Sequence, residues 1–424
     1  MTRVRAFRAL RYDPKRVELS RVIAPPYDVV APEERAAFYA RDPHNALRLE
    51  LTRSVEEEAH TDYTEVRLAL DAWRREGVLA LDPQPALYGL RQRFTTPEGT
   101  QLERRGFFAE LRLEDYDRGV VLPHERTLAA PKADRLKLLR TTRANLSSVL
   151  LLYEDRDQQV EHRLAPDFDA APLVSATDAQ GVEHTLLRVS DPERIEAVRA
   201  FMATRPVVIA DGHHRYETAL AYRDERRAAA PGGAPDAPHE WILACFANSF
   251  SPGTLLLPIH RLIRVGAAPG ETRWADRLPG WSRRSVELRN PEQVPALLAE
   301  HLAPLRASHA FAADDASGRL TIFSKPSDGT LTLRVIHREV IGQAFGLDEE
   351  AVRQGAIEFP KDAVQTAREV RSGRGAVALY LNPLAPDDVF RVTASGERLP
   401  QKSTFFYPKL PTGLVFRLHE DAPA

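Results

Sequence analysis

Apolar and polar positions along this chain repeat with two periods, and the switches between them lay out its elements. Alternation predicts a strand at 87–94, apolar runs predict strands at 149–153 and 241–247, and a β-branched run predicts one at 207–209. Residues 104–113 read as the hairpin partner of 87–94 across a Pro97-Glu98-Gly99 turn, and 121–126 as a strand end. Apolar side chains three and four apart predict helices at 32–39, 65–76, 132–140, 192–204, 216–229, 292–302 and 362–371. Further strands are expected at 255–263, 308–312, 320–324, 331–337 and 376–381, with short ones between 165 and 189. Breaker-rich residues 230–238 read as a surface loop and 400–413 as a closing loop. Helices and strands alternate without strict βαβ regularity, which predicts an α+β, mixed-sheet, multi-lobed protein. The expected division is a main domain over 1–264, a small α+β lobe over 265–340, and a C-terminal segment, 341–424, returning to the main domain.

The run VVIADGHHRYETAL at 207–220 concentrates the chemistry. It reads as a strand, a glycine turn and a helix start, with Asp211, Gly212, His213, His214 and Arg215 compressed into the turn. Amides at a helix N-terminus lack intrahelical partners and carry partial positive charge, so such a turn attracts anions, phosphate first. Asp211 adds a hard oxygen ligand for a divalent metal beside that phosphate. A bare Asp-Gly followed by histidines is also an ordinary turn and cap, but the strand before and the helix after favour the functional reading.

Composition narrows the picture. A chain of 424 residues, 43% hydrophobic and 28% charged, fits an ordinary globular protein of more than one core. Its formal net charge of −2 gives no global attraction to nucleic acid or acidic membrane. Arginine outnumbers lysine, so positive sites are expected to use guanidinium forks. The single cysteine, Cys245, sits in an apolar run, excludes an internal disulfide and fits a reducing cytoplasm. No signal peptide or membrane span is read. The signatures GxSxG, HExxH, GxGxxG and the kinase motifs do not occur, nor does a CxxC pair for zinc.

Other polar clusters could join the turn. LPHERT and PKADRL, between 122 and 136, bring His124, Glu125, Arg126, Lys132, Asp134 and Arg135 around a strand end and a helix start. Asn45 to Glu50 places Arg48 and Glu50 on one face if it is a strand, where a same-face ion pair is the plain alternative to function. Tyr27 and Asp28 follow two prolines and could line a pocket. PQKSTFFYPK at 400–409 has two lysines and two hydroxyls beside aromatics, with Lys402, Ser403 and Thr404 as candidate phosphate contacts.

With these residues on the page, the chain resembles a large prokaryotic family known as a domain of unknown function. The matching motifs are APPYDVV, NALRLE, LPHERT, PKADRL, IADGHHRYETAL, LPIHRL and PQKSTFFYPK, spread over nearly the whole chain. The DGHHR turn is also similar to the phosphate-binding loop of the ParB/sulfiredoxin superfamily, in which free-serine kinases phosphorylate L-serine. That resemblance implies an ATP- or ADP-dependent phosphotransferase using Mg²⁺, with L-serine as acceptor. Residues 211–215 would hold phosphates and metal, with Asp211 as the metal ligand. Arg126, Lys132 and Arg135 would contact phosphate or substrate carboxylate, and Glu125 or Glu50 would take the hydroxyl proton, Glu125 slightly preferred, with His124 beside them. The turn lacks a sulfiredoxin cysteine, and no ParB helix-turn-helix follows it. Two rivals remain: a ParB-like nucleotide-binding regulatory module, and a phosphohydrolase using His213 or His214 as nucleophile. A small-molecule partner, without nucleic acid or membrane, is expected.

Overall fold

The structure, a computed structural model, describes residues 1–52, 61–96, 99–125, 129–264, 266, 274–400 and 402–419, the side chains of 129–131 excepted. It divides into two compact units. One comprises Met1–Leu255, Thr393–Arg398 and Phe406–Ala424; the other comprises Leu256–Val392 and Leu399–Phe405. The expected turn at 97–98, Arg126 and most of 265–271 lie outside the described residues.

The first unit is built on a nine-stranded mixed sheet. Its strands, in chain order, are β1 (Val4–Arg5), β2 (Leu87–Thr95), β3 (Gln101–Arg112), β4 (Val121–Leu122), β5 (Val149–Tyr153), β6 (Val174–Thr177), β7 (Glu183–Val189), β8 (Val207–Asp211) and β9 (Trp241–Asn248). They lie in the order β4-β8-β5-β9-β3-β2-β7-β6, with β1 against β3. The β4–β8 and β5–β9 pairs are parallel, the other pairs antiparallel. β9 lies centrally, and all eight of its residues are buried, as a continuous apolar run requires.

Helices α1 (Ala129–Thr142), α2 (Gln159–Phe168), α3 (Pro192–Met202) and α4 (His213–Ala229) complete the frame. Apolar side chains of the last three, Val160, Leu164 and Phe168, Val198 and Met202, Tyr216 and Ala219, share one core with Leu87, Phe107, Leu151, Ile209 and Ile242 of the sheet. α2 was not anticipated. Its buried positions fall four apart, but Pro166 inside it reads in sequence as a breaker.

The second unit has a six-stranded sheet of β10 (Arg261–Arg264), β11 (Ser282–Glu287), β12 (His309–Asp314), β13 (Arg319–Lys325), β14 (Ile357–Glu358) and β15 (Gly375–Leu381). Their order is β11-β13-β12-β15-β10-β14. The strand expected at 331–337 is instead helical: Thr332–Val335 runs into a π-helix at Ile336–Ala344. Val335, Ile336, Val340, Ile341, Ala344 and Phe345 are buried, a four-and-five spacing that only a wide helix keeps on one side. The run expected at 255–263 breaks into Leu255–Leu257 and β10. Both units are α+β with mixed or antiparallel sheets. No described helix is long and apolar enough to cross a membrane.

Candidate functional site

The strand–turn–helix stands where the 207–220 pattern places it. β8 pairs with β4 and β5 and shifts register between Ile209 and Asp211, which turns the Asp211 side chain out at the strand's end. Gly212 then takes φ +93°, left-handed backbone that a side chain would strain. It is the N-cap of α4 and, as glycine, offers no side chain of its own to cap the helix. The first amides of this 17-residue helix therefore receive no cap from the N-cap residue.

Two cations converge on Asp211. Arg215 Nη2 donates to Oδ2 at 2.5 Å, and Lys409 Nζ donates to Oδ1. Arg215 is further tied by Nη1 to the Ser148 carbonyl. Burial alone would raise the Asp211 carboxyl, but Lys409 and Arg215 outweigh it and hold it well below the ordinary range. His213 is packed edge-on against His124, ring centroids 4.6 Å apart. The His124 backbone N–H donates to His213 Nε2 (3.3 Å), and His124 Nδ1 donates to the Ile209 carbonyl (2.6 Å). Burial depresses both imidazoles, with His124 adding to the effect on His213, so both are neutral.

A second cluster centres on Arg135. Its guanidinium donates to Asp134 Oδ2 (2.6 Å), Tyr63 Oη (2.7 Å), the Glu50 carbonyl (2.9 Å) and Glu50 Oε2 (3.2 Å), and lies 4.2 Å from the Tyr27 ring centroid. Tyr63 passes its proton bond on to Asp134 Oδ1 at 2.7 Å. Glu50 is 2% exposed, yet its Oε1 has no hydrogen-bond partner among the described residues. The two clusters feel each other's charge. Burial lowers Arg215, and Asp211, Asp28, Tyr27 and Glu50 more than restore it.

The structure thus gathers Asp211, Gly212, His213, Arg215 and His124 at one turn, and Glu50 with Arg135 beside it. His214 is half-buried, and the charges of Asp28, Glu217, Lys132 and Glu125 act on it after burial has lowered it. Lys132 itself pairs with Glu217 at 2.9 Å. Residues 45–50 do not form a strand: Leu47–Glu50 is a helical turn, so Arg48 and Glu50 do not pair. Arg48 donates instead to the Tyr39 carbonyl at 2.7 Å. Lys402, Ser403 and Thr404 belong to the second unit, where Ser403 Oγ donates to the Pro400 carbonyl. The lysine of that motif that pairs with Asp211 is Lys409, seven positions on from Lys402 and not singled out in the sequence. Tyr63 was also missed, since a lone tyrosine before a helix carries no signal.

Both Asp211 oxygens face cations, and the described residues contain no group of three or more His, Cys, Asp or Glu side chains arranged to hold an ion. Among the described residues the protein by itself supplies no complete donor set for a metal ion.

Among solved structures, a conserved hypothetical protein from Pyrococcus furiosus is similar, with 12% identity and a TM-score of 0.36, over 73% of this chain and 95% of that one. A free serine kinase in complex with AMP has 13% identity and a TM-score of 0.34, over 70% and 86%. SbnI with C-terminal truncation from Staphylococcus aureus has 10% identity and a TM-score of 0.35, over 73% and 86%. No curated protein matches the chain. The family model described as "Protein of unknown function (DUF1015)" matches residues 4–279, well over half of the chain, and the protein belongs to that family.

Proposed function

We propose that the 211–215 turn holds the phosphates of a nucleotide, and that the protein is an ATP-dependent phosphotransferase acting on a small hydroxyl metabolite. One observation carries the reading: Arg215 and Lys409 converge on a single carboxylate beside a glycine turn from which a 17-residue helix starts. Two cations against one carboxylate leave positive charge for an anion, and the amides at the helix start supply fixed donors. Phosphoryl transfer is largely positioning and charge neutralisation, which such a site provides.

Glu50 is the preferred base. A buried carboxylate with one oxygen unpartnered among the described residues and the other held by Arg135 is oriented for a proton that the substrate brings. The acceptor hydroxyl oxygen would bond to the γ-phosphorus as the bond to the β–γ bridging oxygen breaks; Glu50 Oε1 takes the hydroxyl proton, and ADP leaves. A divalent cation, where one accompanies the nucleotide, supplies neutralisation of the phosphates. L-Serine is the acceptor that the motif resemblance implies.

Phosphorus NMR of the protein with ATP, Mg²⁺ and L-serine tests this. Serine-dependent O-phosphoserine supports it. Inorganic phosphate without phosphoserine points to a hydrolase. Nucleotide binding with no turnover of serine or related hydroxyl compounds leaves a binding module.

A further inference from the structure

Three fully buried polar side chains cross the sheet in a row. Gln92 on β2 is the cross-strand partner of Arg104 on β3 and of His184 on β7, and the three are 0%, 3% and 0% exposed. Their strands carry Tyr88, Leu90, Phe94, Phe108 and Leu186 on the same face, all buried. Polar groups in such a place are costly unless each bond is made.

The bonds are made, and their directions are determined. His184 Nε2 meets Asp178 Oδ2 at 2.9 Å, which puts the imidazole proton on Nε2 and leaves Nδ1 as an acceptor. Gln92 Nε2 donates to that Nδ1 at 3.1 Å, so its Oε1 turns the other way, toward Arg104 Nε (3.0 Å) and Nη2 (2.5 Å). Besides the Asp178 turn beyond β6, the row reaches out of the sheet to one further segment among the described residues. Arg104 Nη2 donates to the Pro408 carbonyl at 2.6 Å, and Gln92 Nε2 to the Lys409 carbonyl at 3.4 Å. Those two carbonyls are the backbone from which Lys409 extends to Asp211. Arg104 makes no hydrogen bond to a carboxylate among the described residues, and the charge of Asp211 reaches it.

We propose that Gln92, oriented by His184 and Arg104, is a positioning residue that sets Lys409 for phosphate binding. The proposal rests on the reading of the 211–215 turn as a phosphate site. The row does not touch the ligand; it fixes the main chain on which the lysine stands. Losing it would free the 406–410 segment and let the ammonium stray, while leaving Arg215 and the helix start in place.

The test is a double-mutant cycle on Mg-ADP affinity with wild type, Gln92→Leu, Lys409→Met and the double variant. Lys409→Met is expected to weaken binding about 10-fold or more, the loss of one charge-assisted contact. Gln92→Leu should weaken it by roughly 3- to 10-fold, and the double variant should be no weaker than Lys409→Met alone. Full additivity, or unchanged affinity in Gln92→Leu, overturns the positioning role; a general structural defect would add to the loss. Hydrogen exchange of 406–412 gives a second readout that needs no ligand, and faster exchange in Gln92→Leu is expected. If the wild type binds no nucleotide, the phosphate reading fails, and positioning for phosphate fails with it. Exchange then decides only whether the row holds the segment, with unchanged exchange overturning that as well.

Discussion

Lys409 and Asp211, 198 positions apart in the chain, form one ion pair at the end of β8, and Arg215 completes it from the first turn of α4. The carboxylate is thus the counter-charge for two cations that an anionic ligand would otherwise have to satisfy. Asp211→Asn should leave Arg215 and Lys409 facing each other with little water. A loss of roughly 1.5–3 kcal/mol of stability is expected, as for hydrogen bonds to a charged group in a partly buried cluster. ADP should then raise the melting temperature of the variant more than that of the wild type, because its phosphates replace the missing charge. Equal shifts in the two proteins would remove the anion from this place.

Glu50 and Glu125 are separated by their surroundings. Glu50 is buried, pinned through Oε2 by Arg135 and, among the described residues, unpartnered at Oε1, whereas Glu125 is half-buried. Glu50→Gln should lower turnover by ~10²- to 10⁴-fold with little change in nucleotide affinity, the range for a general base. Glu125→Gln should stay within about 10-fold of wild type. The reverse order of effects in steady-state kinetics would transfer the role to Glu125.

What could be read in the sequence follows from what is local. The β8–turn–α4 unit was legible because Val207 to Ile209, Gly212 and the apolar positions after Tyr216 lie within fourteen residues, and each obeys its own short-range rule. The family read from the sequence is the one whose model matches residues 4–279. The 331–344 helix was not, because its apolar alternation over the first seven residues also satisfies a strand, and only burial at Val340 and Ile341 selects the π period. Lys409 was not, because nothing local distinguishes it from Lys402. Asp211 and Gln92, which bond to it, and Arg104, which bonds to its neighbour Pro408, come from three strands, and sequence spacing carries no record of which strands are neighbours.

Gly212 is required twice. Its φ of +93° lies where a side chain is strained, and a Cβ there would sit 2.9 Å from Arg215 Nε. Gly212→Ala should therefore cost about 1–2 kcal/mol through the backbone and also push the Arg215 fork off Asp211. The expected result is a lower melting temperature together with weaker ADP binding. A variant that is less stable but binds ADP normally would show that the Arg215 position is immaterial to the ligand.

The His124–His213 pair sets an acid limit on the site. The His124 backbone N–H already points at His213 Nε2, so a proton on that nitrogen would face a donor, and burial opposes the charge on both rings. The unfolded chain takes up these protons below pH ~6.5, while the folded chain does so only at lower pH. Unfolding therefore binds protons in that window, and stability falls as pH falls, by up to about 1.4 kcal/mol per pH unit for each histidine. Stability from this source is fully present above pH ~6.5 and lost through the depressed folded values. Thermal unfolding between pH 7.5 and 5 should show the decline, and His213→Gln, which keeps an acceptor without a titrating ring, should make it shallower. An equal slope in the variant would mean that His213 is not held neutral. A histidine that is neutral at working pH contributes no positive charge to phosphate, which leaves that task to Arg215, Lys409 and the amides at the helix start.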